Sequence, residues 1–194
     1  MYLDKLSFNW AIMLIIRGFM KFIFISLSLM ALSACADVPY KRKHWGGWTD
    51  IDKNCRNTRH EILVERSLGP VNYKDSKKCK VISGKWADFY YPTTYTEARK
   101  VDIDHVVPLY EAHKSGGQNW SREKKKLFAN DKENLVITGS RMNKKKGAQT
   151  LVTWIPSSLE YACRYYERWM HVKKKYDLKI SEEELKAVDT SKCH

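Results

Sequence analysis

The sequence predicts an α+β domain, mainly helical and stapled by disulfides. Three observations carry this. Short β-branched and aromatic runs occupy residues 79–91, 99–106 and 134–138. Two capping boxes open helices near the C-terminus, Ser157 with Glu160 and Ser181 with Glu184. Four cysteines follow an apolar leader, and an even number in an exported chain reads as two disulfides.

The 194 residues suit one domain with an appendage. Hydrophobic residues at 43% and aromatics at 12% exclude a disordered chain, since enough apolar surface is present to offset the entropy of ordering. Nine glycines and five prolines exclude collagen-like and low-complexity classes. Lys and Arg outnumber Asp and Glu 35 to 22, a net +13. Such an excess points to a polyanionic partner, nucleic acid or an anionic membrane surface.

Residues 1–35 read as a leader. The apolar run 11–34 is interrupted by Arg17 and Lys21, which a transmembrane helix would not place at its centre. From Met20, an alternative start, the chain shows one Lys, a short apolar core and then small residues, the layout of a secretory signal peptide. The segment ends Leu32-Ser33-Ala34-Cys35, which resembles a bacterial lipobox whose cysteine becomes lipid-modified. With Ala36 next, the resemblance implies an outer-membrane or surface lipoprotein. The other reading is ordinary cleavage near Ala34 or Ala36 and a secreted product. Without residues 1–35, 32 basic and 21 acidic residues remain, so the excess belongs to the working domain. Residues 36–50 are polar, basic and Gly-containing, and read as a tether; residues 51–194 read as the domain.

Cys55, Cys79, Cys163 and Cys193 allow three pairings. Cys55–Cys79 with Cys163–Cys193 is preferred, because each bond closes a local loop worth about 3 kcal/mol. A Cys-ligated zinc is disfavoured because the chain contains no C-x-x-C pair.

Along the domain, residues 54–67 fit a helix capped by Asn54 and ended by Gly69-Pro70. Residues 79–91 suggest a hairpin about Ser83-Gly84. Residues 99–106 alternate as a strand that Pro108 stops. Residues 108–115 and 121–129 read as short helices around Ser115-Gly116-Gly117, and 134–138 as a second strand. Residues 140–147 make one or two helical turns closed by Gly147. Leu159, Cys163, Tyr166, Met170 and Tyr176 share one face of the C-terminal helix.

The chemistry concentrates in Asp102-Ile103-Asp104-His105-Val106-Val107-Pro108, Asn134-Leu135-Val136-Ile137-Thr138 and Ser140-Arg141-Met142-Asn143-Lys144-Lys145-Lys146-Gly147. Asp104 beside His105 sets an oxygen ligand next to a titratable imidazole. Asn143 adds a neutral oxygen, and Lys144, Lys145 and Lys146 add phosphate contacts. A hard cation such as Mg²⁺ takes a few such oxygens plus water and phosphate. Phosphodiester hydrolysis needs a base, a metal and backbone cations. Neighbours in a regular strand face opposite ways, so Asp104 and His105 share a site only where the strand ends or bulges.

These segments resemble the HNH (ββα-metal, His-Me finger) endonucleases, and most closely the exported HNH proteins related to the C-terminal nuclease domain of GmrSD-type modification-dependent restriction enzymes. The matching runs are D-I-D-H-V-V-P-L, F-A-N-D-x-x-N-L and S-x-x-N-x-x-K-G followed by T-W-I-P. The likeness extends to Cys55-x-x-x-Arg59 and Ser83-Gly84-x-Trp86. It implies a ββα-metal core within the helical, disulfide-stapled domain. It implies His105 as general base, Asp104 as metal ligand, Asn143 as the last ligand and Asn134 as the residue tying the loop that carries the base. Arg59 and Arg99 are further candidates for phosphate contact. The implied cofactor is one divalent ion, Mg²⁺ before Mn²⁺. The implied partner is nucleic acid, DNA before RNA, cut with little sequence preference by a monomer whose only membrane contact is the anchor. Activity is expected to rise from pH 6 to 8 as His105 deprotonates. The rival reading is a non-catalytic DNA-binding or DNA-capture surface lipoprotein; an exported toxin would share the nuclease chemistry.

Overall fold

The computed structural model describes residues 38–193. The leader, its alternative start at Met20 and the Cys35 lipobox lie outside the described residues. Within them, no helix is long and apolar enough to cross a membrane.

The described residues form two small antiparallel sheets and six α-helices, with short 3-10 turns between them. The first sheet has the order β1 (Asn72–Tyr73), β2 (Val81–Ala87), β3 (Thr94–Glu97). The second is a two-stranded ribbon of β4 (Val101–His105) and β5 (Leu135–Gly139), paired from Val101↔Gly139 to His105↔Leu135. The helices are α1 (Thr58–Glu65), α2 (Leu109–Lys114), α3 (Arg122–Asn130), α4 (Ser140–Lys146), α5 (Leu159–Lys175) and α6 (Glu182–Leu185). Helices α2 and α3 fill the β4–β5 connection, and α4 follows β5 directly and packs on both ribbon strands.

The ribbon's alternation positions the site. Val101, Ile103, Leu135 and Ile137 join Ile62 and Leu63 of α1 and Val81 and Trp86 of β2 in one core. The opposite face carries Asp102, Asp104, Val136 and Thr138, as the two-residue period requires. A second, aromatic-rich core gathers Trp45, Phe128, Tyr90, Tyr165 and Trp169 beneath α2, α3 and α5. Gly139 is required where it stands: a Cβ there would strike the Tyr95 ring. Gly147 ends α4 with φ at +55°, a left-handed value that suits glycine.

Both preferred disulfides are present, Cys55–Cys79 and Cys163–Cys193. The Ser181 and Glu184 capping box is formed. Several local expectations change. Residues from Val38 to Asp50 are not a free tether. Trp45 is fully buried, and the segment belongs to the compact unit because its aromatic rings complete the second core. Helix α1 is capped by Asn57, not Asn54. Lys53 and Cys55 have positive φ, so the chain is still turning before it becomes helical. Strand β2 runs straight through Ser83-Gly84, without a hairpin there. Gly84 serves a register shift and close packing, since the Trp86 indole lies where its Cβ would be. Helix α5 begins one residue later than the expected capping box requires. Ser158 is its N-cap and makes no side-chain cap bond. Its buried face keeps Cys163 and Met170 of the expected set and adds Ala162, Tyr165, Trp169, Val172 and Lys173, whereas Leu159 is exposed and Tyr166 and Tyr176 are half-buried.

Candidate active site

A cleft of about 480 Å³ opens where β4 ends, bordered by Tyr40, Arg42, Asp104, His105, Pro108, Tyr110, Asn143 and Gly147. Asp104 and His105 leave opposite faces of the strand, and both reach this cleft because His105 is its last residue.

His105 is held on its own side by two contacts. Its ring stacks on Trp48, with centroids 5.6 Å apart and planes 14° from parallel. Its Nε2 lies 2.9 Å from the Ala129 carbonyl oxygen. A carbonyl only accepts, so Nε2 carries the hydrogen and Nδ1 holds the basic lone pair. Among the described residues Nδ1 takes no hydrogen bond. Burial lowers the imidazole pKa to about 4, with Arg42 and Lys146 adding to the effect and the Ala129 bond and Asp104 opposing it. The ring is therefore already neutral at pH 6, which removes the reason to expect a titration between pH 6 and 8.

Asp104 is held on the other side. The Tyr90 hydroxyl donates to its Oδ2 at 2.7 Å, and Lys146 Nζ lies 2.9 Å from the same oxygen. Asp104 Oδ1 has no hydrogen-bond partner among the described residues. Burial and the Asp104 charge push the Tyr90 hydroxyl pKa far above its ordinary value, so it remains a donor. Lys146 is fully buried and also donates to the His105 carbonyl oxygen at 3.0 Å. This corrects the expectation that Lys146 touches substrate phosphate. Lys144 and Lys145, on the exposed side of α4, remain available for that contact.

Asn143 donates through Nδ2 to Asp102 Oδ2 at 3.0 Å, and the other Asp102 oxygen accepts from the Ser140 hydroxyl at 3.0 Å. Asp102 thus orients Asn143, whose Oδ1 takes no hydrogen bond among the described residues. Asn134 is fully buried. Its Oδ1 accepts from the Val107 N–H at 2.8 Å and its Nδ2 donates to the Val107 carbonyl at 3.1 Å. One side chain thereby fixes both backbone polar groups of Val107, two residues after His105.

Arg59 and Arg99 do not join this cleft. Both border a separate basic depression with His60, Lys80 and Glu97. Arg59 donates to the Ala98 and Val101 carbonyls, a tie between α1 and the start of β4. Arg99 is exposed and paired with Glu97. His113 is buried under the N-terminal segment with Nε2 on the Val38 carbonyl, and Glu111 pairs with Lys173. Sequence reasoning missed Trp48 and Tyr90, which reach the site from distant segments. It also missed the separate position of Lys146, although three residues after Asn143 returns a helix to the same face.

The donor set suits a small divalent cation: a carboxylate oxygen and an amide oxygen, beside a neutral imidazole, on an open cleft. Among the described residues no group of three or more His, Cys, Asp or Glu could hold a metal, so such an ion would need substrate or water oxygens as well.

Residues 57–187 match the model of the GmrSD restriction endonucleases, C-terminal domain. The chain is also similar to a protein of Arthroderma benhamiae described as an uncharacterized secreted protein. The two are 38% identical over 151 residues, 77% of this chain and 72% of the relative. No solved structure matches. The family match takes in β4, β5, α4 and the whole cleft they frame except Tyr40 and Arg42, and on it the chain belongs to the family of GmrSD restriction endonuclease C-terminal domains.

Proposed function

We propose that the protein is an exported, metal-dependent endonuclease that hydrolyses phosphodiester bonds in DNA with little sequence preference. One observation carries the reading. Asp104, His105 and Asn143 border one cleft, and each keeps an acceptor atom that no described residue satisfies. The family, the order of two antiparallel strands followed by a helix, and the basic excess all support it.

In this mechanism His105 Nδ1 takes a proton from the attacking water, while its Nε2–H stays on the Ala129 carbonyl and fixes the tautomer. The water oxygen forms a bond to phosphorus in line with the breaking P–O3′ bond, and the departing O3′ takes a proton from solvent, which leaves a 5′-phosphate and a 3′-hydroxyl. A divalent ion, Mg²⁺ before Mn²⁺, held by Asp104 and Asn143 would stabilise the phosphorane and the leaving oxygen. Asn134 holds the Val107 peptide and so the loop beyond the base. Lys144, Lys145 and Arg42 would meet backbone phosphates. Both disulfides and the secreted relative support export, and anchoring through Cys35 completes the proposal.

The test is nicking of supercoiled plasmid with Mg²⁺, beside an EDTA control and His105→Ala. The reading expects EDTA to stop nicking and His105→Ala to slow it by about 10² or more. No cleavage with Mg²⁺, Mn²⁺ or Ca²⁺, together with salt-sensitive binding that His105→Ala leaves unchanged, would establish the DNA-capture reading instead.

A further inference from the structure

We infer that the site takes up its divalent cation together with the substrate phosphate and not before it, because Lys146 already balances the charge of the acidic ligand. The inference rests on the nuclease reading above and adds an order of binding to it.

Asp104 is the carboxylate with an oxygen left for a ligand, and Lys146 sits 2.9 Å from its other oxygen with no exposure to solvent. The second carboxylate, Asp102, is engaged by Ser140 and Asn143, and the Arg59 guanidinium is near enough to be stabilised by it. Arg42 borders the cleft and adds a positive charge. The remaining donors, Asn143 and the buried imidazole, are neutral. Among the residues that border the cleft, a bare dication therefore finds oxygen atoms of suitable type but no carboxylate without a cation beside it. At short range and low polarity a buried ammonium repels it appreciably. Mg²⁺ sheds water reluctantly and commonly relies on substrate phosphate oxygens beside one or two carboxylates. Here the phosphodiester supplies the charge that the protein withholds.

Lys146 and Tyr90 also divide the work. Both hold Asp104 Oδ2, which leaves Oδ1 as the ligating oxygen, but only Lys146 carries charge. Tyr90 is a positioning residue. Lys146 is a positioning residue that also sets the charge of the site. Binding linkage is reciprocal, so if DNA tightens metal binding, metal must tighten DNA binding by the same factor.

The experiment uses Mn²⁺ as probe and follows free Mn²⁺ by electron paramagnetic resonance. The protein is the full-length, disulfide-bonded chain carrying His105→Ala, so that a short DNA duplex stays intact. A titration of the duplex alone is subtracted. The expected result is Mn²⁺ affinity at least tenfold higher with saturating duplex than without, and an equal gain in duplex affinity from Mn²⁺ at constant ionic strength. Adding Lys146→Met should raise Mn²⁺ affinity without DNA by about tenfold and shrink the linkage, whereas Tyr90→Phe, which removes a bond and no charge, should leave the linkage within about twofold. If Lys146→Met does not fold, the linkage in the Lys146 protein decides the matter alone. Equal Mn²⁺ affinity with and without bound duplex overturns the inference and leaves the nuclease reading standing. A chain that binds no duplex removes both.

Discussion

Two lysines are fully buried in this domain, and their surroundings differ in one respect that separates structure from chemistry. Lys173, on α5, is enclosed. Its Nζ lies 2.6 Å from Glu111 of α2 and 2.6 Å from Glu184 of α6, and it donates to the Lys179 carbonyl at 3.0 Å. Glu184 in turn accepts from Trp169 Nε1 at 2.8 Å and closes the Ser181 cap. This cluster fastens three helices by setting one cation between two carboxylates. Lys146 has a single carboxylate partner, and that carboxylate keeps an oxygen at the cleft. A buried cation shared between two carboxylates on different helices is a fastening. A buried cation paired with one carboxylate, beside a basic imidazole nitrogen at the cleft, belongs to a site.

The comparison can be broken at its closed end first. Lys173→Met would leave Glu111 and Glu184 facing each other without a cation, and the loss of stability should be about 3–5 kcal/mol, measured by denaturant unfolding. Cleavage by the protein that remains folded should be unchanged. A loss below 1 kcal/mol would mean the cluster opens to water.

The open end is tested by pH. His105 titrates at 6.5 when exposed and at about 4 in the folded chain. Between those values the unfolded chain binds more protons at this residue, so stability falls as the pH falls through the window. The loss should be on the order of 3 kcal/mol near pH 4, and His105→Ala should abolish it. Cleavage should stay level from pH 6 to 8 as far as this ring is concerned. An activity midpoint between pH 6 and 7 would show a ring far better solvated than its contacts imply.

Asn134→Ala sharpens the contrast from the side of the loop. It strands the N–H and C=O of Val107 in the interior, at a cost of about 1–3 kcal/mol by thermal unfolding, and cleavage should fall along with it. The smallest effect belongs to Ser181→Ala. Losing the cap of α6 should cost about 1 kcal/mol, with no change in cleavage, because Glu184 keeps its bond to Lys173.

What was legible in the sequence was whatever lay close together along the chain. Asp104 and His105 end β4, Asn134 stands immediately before β5, and Asn143 lies on the short α4. Their residue types suggested the chemistry, and the structure brings Asp104, His105 and Asn143 to one cleft. The α+β mixture and both disulfides were legible for the same reason, since each bond closes a loop of 24 or 30 residues. The stack of Trp48 on His105 and the Tyr90 bond to Asp104 were not legible, because no local pattern says which aromatic residue crosses the fold to a given partner. Polar, glycine-containing composition made residues 36–50 look like a tether, yet two tryptophans, Trp45 and Trp48, bind that segment to the domain. The run Lys144–Lys146 read as one basic patch. Helical geometry divides it, turning Lys146 inward and the other two outward.

The disulfides have a consequence for the cell that makes this protein. Cys55–Cys79 and Cys163–Cys193 clasp the two ends of the domain and leave the ribbon between them untouched. By loop closure each is worth about 3 kcal/mol, so together they rival the whole stability of a typical small domain. In the reducing interior, where the producer keeps its own chromosome, the chain lacks both clasps and populates its folded form least. Exported as proposed, it would gain them on the far side of the membrane. On the nuclease reading proposed above, the enzyme would thus be weakest beside its maker's genome and firmest among foreign DNA, and its safety catch would be the change of compartment itself.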